Sequence, residues 1–149
     1  MRIASLSAAA LLLAAAPVVA DVTAAVEARQ GQFKLFAFNL GPMVQMAQGN
    51  IDYDAGIAAT AAGNLATLVQ IDQARLWPEG SDNAAIDDTR ALPAIWNDLE
   101  DFAGLFTDLQ QAVAGLEDAA GTDLAGLRGA LGPVGAACSA CHEAYRQTQ

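Results

Sequence analysis

The chain has 149 residues, with seventeen Asp+Glu against seven Lys+Arg, a formal net charge of −10 and 54% hydrophobic residues. A chain of this length makes one domain around a single core. The acidic balance excludes nucleic acid as a partner, because phosphate binding needs basic patches.

Residues 1–20 read as a secretory signal peptide that is removed from the mature protein. Arg2 is the charged start, Ala8 to Ala16 a short apolar run, and Val18-Val19-Ala20 a small-residue cleavage site. The run is too short to span a bilayer as a fixed helix, so no membrane anchor is expected after cleavage. What remains is residues 21–149, the bundle domain. Taking Arg2 away leaves six basic against seventeen acidic residues, a net charge of −11.

Four segments carry helical periodicity, and none carries convincing strand alternation. In the first, Val22, Val26, Arg29, Phe33, Phe36, Leu40 and Met43 recur at four- and three-residue steps, an inward seam with one charge on it. Gly41-Pro42 is expected to kink or end that helix, and Gln48-Gly49-Asn50 reads as a turn. The second helix begins near Asp54, with Ile57, Ala61, Leu65, Leu68 and Leu76 as apolar markers, and Trp77-Pro78 stops it. A polar, turn-rich connection then runs to Thr89.

The third helix starts near Pro93, a residue tolerated in a first helical turn. Its seam is Ile95, Leu99, Phe102, Phe106, Leu109, Val113 and Leu116. After Gly121, Thr122 or Asp123 is placed to cap the fourth helix. That helix runs through Leu124, Leu127, Leu131, Val134, Cys138, Cys141 and Tyr145, with Gly132-Pro133 expected to bend it. Four amphipathic helices with two short joints predict an all-α, antiparallel, up-down-up-down four-helix bundle.

The chemistry concentrates at Cys138-Ser139-Ala140-Cys141-His142. C-x-x-C-H is the spacing at which two thiols add to haem vinyl groups and the adjacent imidazole ligates the iron. Residues three and four apart share a helix face, so all three side chains can meet one flat ring. A thioredoxin-like redox pair would want a βαβ setting. A zinc site needs four ligands, and these residues supply three. A disulfide across two intervening helical residues would be strained. The motif therefore predicts one haem c held by two thioethers to Cys138 and Cys141, with His142 as the axial iron ligand.

His142 is the only histidine. The remaining candidate donors for the sixth position are Met43, Met46 and Lys34. Met43 lies ten residues beyond Phe33, about 15 Å along a helix, and Lys34, one residue off the seam, is expected to point away. The first helix then offers the open face an aromatic ring and no ligand. Arg29, a cation on an apolar seam, needs a partner, either a haem propionate or water reached by snorkelling. Arg146 stands four residues after His142, beside it or at a helix C-terminus that favours a cation.

The C-x-x-C-H-x-x-Tyr-Arg ending (Cys138 to Arg146), the Arg29-Gln30 pair and the Leu92-Pro93-Ala94-Ile95-Trp96 stretch together resemble the cytochrome c-prime family, over essentially the whole mature chain. The resemblance implies a periplasmic, usually dimeric, high-spin haem protein whose iron lacks a distal protein ligand. It also implies binding of nitric oxide and carbon monoxide but not stable binding of dioxygen. Carried over by position, Cys138 and Cys141 anchor the haem and His142 ligates it. Arg29 and Gln30 fall near the propionates, Phe33 covers the distal face, and Arg146 stands beside the proximal histidine. Arg90 matches loosely a polar haem contact. Ser139 departs from the lysine frequent at that place in the family.

The leading expectation is thus a gas-binding cytochrome with five-coordinate haem, not a classical enzyme, which transfers electrons to a redox partner protein in a secondary role. The alternatives are a six-coordinate, low-spin electron-transfer cytochrome c and a haem-free structural bundle. Leu35 and Phe38 lie off the first seam and are expected to be exposed, compatible with a helix-to-helix homodimer.

Overall fold

The computed structural model describes residues 22–148; the signal-peptide reading of residues 1–20 lies outside them. Every named element is a helix: α1 (Val22–Gln48), α2 (Ala55–Leu68), the single turn α3 (Ala94–Asn97), α4 (Leu99–Ala120) and α5 (Leu124–Tyr145). The four long helices form the expected bundle. Packing runs in a ring, α1 on α2, α2 on α4, α4 on α5 and α5 back on α1. No helix among the described residues is long and apolar enough to cross a membrane.

The predicted interruption at Gly41-Pro42 does not end α1, which continues to Gln48 with Pro42 inside it. A mid-helix proline costs about 3 kcal/mol. Met43 and Met46 just beyond it are 0% and 1% exposed, and burying each contributes about 1.5–3 kcal/mol. Continuing the helix keeps both in the core. Likewise α5 runs unbroken through Pro133.

Helix α2 starts where the sequence indicates, with the Asp54 carboxylate accepting from the Ile57 amide at 2.9 Å. It ends at Leu68, well short of the predicted stop at Trp77. The reason lies in its C-terminal carbonyls, which need partners from outside the helix. Gln32 Nε2 donates to the Leu68 carbonyl at 3.0 Å and Gln110 Nε2 to that of Val69 at 2.8 Å. Two neighbouring helices thus finish this one, and Leu76 belongs to the connection that follows. Ile57 is exposed, and Ala58, Ala61, Ala62 and Leu65 form the buried face instead.

The predicted third helix is divided. Asp98 leaves helical geometry at φ −147° and ψ 74°, and its carboxylate accepts from the Asp101 amide at 3.0 Å, capping α4 anew. Leu99 therefore opens a helix and is exposed rather than lying on a continuous seam. At the other end Asp123 caps α5, accepting from Gly126 at 2.7 Å.

The buried apolar residues fall into two clusters. One, including Met43, Met46, Leu65, Val113, Leu116 and Leu127, fills most of the bundle. The other, Ala91, Ile95, Phe102 and Tyr145, lies where the long connection crosses the helices.

Candidate functional site

A cavity of about 560 Å³ separates the two clusters, within the size of small-molecule and cofactor sites. Its apolar wall includes Phe36, Leu65, Leu109 and Val134 from the larger cluster and Ile95, Phe102 and Tyr145 from the smaller. All eight residues singled out from the sequence border it: Arg29, Gln30, Phe33, Arg90, Cys138, Cys141, His142 and Arg146.

Helix α5 supplies one wall. Cys138 and Cys141 are half-buried and unbonded to each other, and His142 follows them on the same helical turn. Burial pushes both thiols up; at Cys141 the Cys138 and Asp101 charges add to it, taking its pKa to about 11. Thiols held neutral in this way are the opposite of the low-pKa thiolates that run disulfide exchange, so the thioredoxin-like alternative has the wrong electrostatics. Among the described residues no group of three or more His, Cys, Asp or Glu is placed to hold a metal ion by itself, so Cys138, Cys141 and His142 do not converge as a zinc site requires.

Helix α1 supplies the facing wall. Phe33 is 39% exposed to the open cavity and meets Phe36 and Trp77 edge-on, at 5.6 Å and 6.3 Å between ring centroids. Met43 and Met46 belong to the larger core cluster and do not border the cavity. Lys34 does border it, contrary to the expectation that it points away. One residue is only about 100° round a helix, and a four-carbon stem reaches further than that offset removes.

Arg29 is 2% exposed, so it does not snorkel. Its Nη1 donates to the Leu76 carbonyl at 3.2 Å and to Ser81 Oγ at 2.6 Å. Its Nη2 donates to the Ser81 carbonyl and to Thr89 Oγ1 at 2.9 Å. Burial lowers its pKa, and the Asp82 charge partly offsets this. The partners are all in the 69–93 connection, so Arg29 fastens that segment to α1 and makes it a cavity wall. Gln30 acts beside it, donating from Nε2 to the Asp88 carbonyl at 2.5 Å.

The connection also meets the end of α5. Ala91 and Arg146 form an antiparallel bridge, Leu92 N donates to the Tyr145 carbonyl at 3.0 Å, and Gln147 N to that of Arg90 at 2.8 Å. Arg90 and Arg146 are thereby brought to one rim of the cavity. Sequence reasoning missed Trp77 and Tyr145 as parts of the site. A tryptophan in a polar connection was the available signal for the first. Its ring packs on Phe102 at 4.8 Å, Phe102 packs on Tyr145 at 5.4 Å, and the Tyr145 hydroxyl donates to Asp101 Oδ2 at 2.6 Å.

The donor set and its surroundings fit a haem. Two neutral thiols and an imidazole share one helix face, an apolar slot lies in front of them, and cations stand at its edge to meet propionates.

The comparisons with known proteins agree. Residues 24–146 match the family described as Cytochrome C'. Cytochrome c-554 of Cereibacter sphaeroides is 44% identical over 122 residues, 82% of this chain and 92% of that protein. The solved cytochrome c' from Rhodobacter Spheriodes superposes with a TM-score of 0.85 at 38% identity, covering 87% of this chain and all of that one. Two variants of the Alcaligenes xylosoxidans protein, one bound to carbon monoxide and one to nitric oxide, give TM-scores of 0.75 and 0.76. Both are 33% identical, over 87% of this chain and 98% of theirs.

Proposed function

This chain belongs to the cytochrome c' family, and from that premise we propose that it is a periplasmic, five-coordinate haem protein that binds nitric oxide and carbon monoxide. Haem c is the family's cofactor; here Cys138 and Cys141 would carry its thioethers and His142 would ligate the iron. When bound, that group supplies a metal that takes a diatomic molecule and exchanges one electron.

The observation that carries the reading is the exclusion of Met43 and Met46 from a cavity whose α1 wall includes Phe33. A five-coordinate iron needs a face without a donor, and the sulfurs of Met43 and Met46 are in the core. Phe33 excludes water and small anions from that face, and a neutral diatomic enters by displacing the ring. Bound dioxygen would gather negative charge and need a donor; the Gln30 amide is already engaged with Asp88, which leaves Lys34 as the one side-chain donor of α1 beside Phe33. The relatives solved with nitric oxide and carbon monoxide support the same ligand class.

We read the chain as a binding protein rather than an enzyme: its cavity lining offers one carboxylate, Asp88, and, besides His142, no second imidazole among the described residues. The reading of residues 1–20 as a secretory signal peptide supports export to the periplasm. Leu35 and Phe38 of α1, 48% and 75% exposed, are compatible with a helix-to-helix homodimer. Titrating the reduced holoprotein with nitric oxide tests the ligand. A stoichiometric change in the haem spectrum is expected; an unchanged spectrum at excess gas refutes the reading. The rival six-coordinate carrier would need Lys34, the one amine on the cavity wall, as its sixth donor.

A further inference from the structure

The cavity is bordered by a line of rings that gas binding does not use. Phe33 meets Trp77 at 6.3 Å between centroids, Trp77 meets Phe102 at 4.8 Å, and Phe102 meets Tyr145 at 5.4 Å, each edge-on. These are aromatic contact distances, and all four rings line the cavity. Electron tunnelling falls steeply with distance, so contact of this kind favours it. Trp77 and Tyr145 are the two members of the line that can be oxidised.

Electrostatics separates these two. Removing an electron leaves a positive hole. On Trp77 the hole would face the buried Arg29 guanidinium, 4.5 Å from the ring centroid, and would forfeit the cation–π attraction. Tyr145 faces carboxylates instead. Its hydroxyl donates to Asp101 Oδ2 at 2.6 Å, a charge-assisted O–H···O⁻ geometry, and Asp98 adds negative charge nearby. The Tyr145 ring is buried and Asp101 is exposed. An electron can thus leave toward the cavity while the proton leaves by the carboxylate toward water. Tyr53, the other tyrosine in the chain, donates to the Ala120 carbonyl, which cannot keep a proton.

We infer that Tyr145 is a redox-active residue, which discharges an oxidising equivalent from the cavity with Asp101 as its proton acceptor. The co-reactant is a peroxide, and the inference rests on haem occupying the cavity, as proposed above. Hydrogen peroxide becomes two waters by taking two electrons, and two protons from solvent, as its O–O bond breaks. Ferrous haem gives one electron and becomes ferric. The Tyr145 phenol gives the second: its O–H bond breaks, the proton passes to the Asp101 carboxylate, and a neutral phenoxyl radical remains. The hydrogen bond then reverses, with the Asp101 carboxylic acid donating to the phenoxyl oxygen.

The experiment mixes reduced holoprotein with hydrogen peroxide and freezes it for electron paramagnetic resonance, after an absorption spectrum has established that haem is attached. A second arm uses photogenerated tris(bipyridine)ruthenium(III), which takes one electron from the protein directly and becomes ruthenium(II). An apo spectrum would refute the haem reading, and the ruthenium arm then decides on Tyr145 by itself. Both oxidants should give a tyrosyl radical whose signal narrows with ring-deuterated tyrosine. It should be absent in Tyr145→Phe, which keeps the ring packing, and undiminished in Tyr53→Phe. Asp101→Asn should slow radical formation about 100-fold, the loss of one positioned base. A radical that persists in Tyr145→Phe, or a tryptophan radical in the parent protein, would overturn the inference. So would an unchanged rate in Asp101→Asn. A radical produced by ruthenium but not by peroxide would also overturn it, by leaving the phenol oxidisable but unconnected to the cavity.

Discussion

The Arg29 guanidinium carbon lies 4.5 Å from the centroid of the Trp77 ring, above a face that the same arginine helps to hold in place. Four hydrogen bonds to residues 76–89 and this stacking contact join α1 to a connection with no helix of its own before α3. The cavity wall formed by Trp77, Thr89 and Arg90 is therefore fixed from behind by one buried cation.

Replacing it with methionine should show the size of that fastening. Arg29→Met leaves Ser81 Oγ buried without its donor and Thr89 Oγ1 with only that of Ala91 N, at a cost of about 3 kcal/mol. Denaturant unfolding should show a lower midpoint at unchanged slope, and limited proteolysis should cut first between residues 70 and 90. An unchanged midpoint would mean that the connection is held by its apolar contacts alone.

Phe33 is the next test. If an incoming ligand must displace its ring, Phe33→Ala should tighten carbon monoxide binding about tenfold, which is about 1.4 kcal/mol. An affinity equal to that of the parent protein would remove Phe33 as the gate.

The Tyr145–Asp101 pair gives a pH dependence with a definite sign. The hydrogen bond to Asp101, with burial and the Asp101 charge, raises the phenol from 10.0 to about 12. A raised folded-state pKa contributes stability that is complete below the unfolded value and is lost as pH climbs through the folded one. The stability advantage of the parent protein over Tyr145→Phe should therefore hold up to about pH 10 and disappear by about pH 12. Asp101→Asn should bring the phenol's ionisation down. An advantage that instead faded between neutrality and pH 9 would mean another group is responsible.

The exposed α1 pair makes a claim about assembly. Sedimentation at micromolar concentration should show a dimer for the parent holoprotein and a monomer for Phe38→Glu. A monomeric parent would remove Leu35 and Phe38 as an interface.

Much of this was legible in the residues. The bundle follows from three- and four-residue steps along the seams, and α5 keeps its predicted register from Leu127 to Tyr145. The cysteines and histidine are legible because their chemistry depends on local spacing. The end of α2 was not, since Gln32 and Gln110 finish it from 36 and 41 residues away. Nor was the break at Asp98, where a capping carboxylate overrides an apolar pattern that continues past it. The hydrogen-bond partners of Arg29 were not legible either, because they lie in a connection without periodicity. Lys34 was misjudged because helix angle describes where a stem leaves the backbone, not how far it reaches.

The central claim is an iron bonded by the protein on one side only. The absorption spectrum of the dithionite-reduced holoprotein without added ligand tests it most directly. A broad visible band of high-spin, five-coordinate ferrous haem is the predicted result. A sharp low-spin α-band, persisting in Lys34→Gln or abolished by it, would contradict the account by placing a protein donor on the face assigned to Phe33.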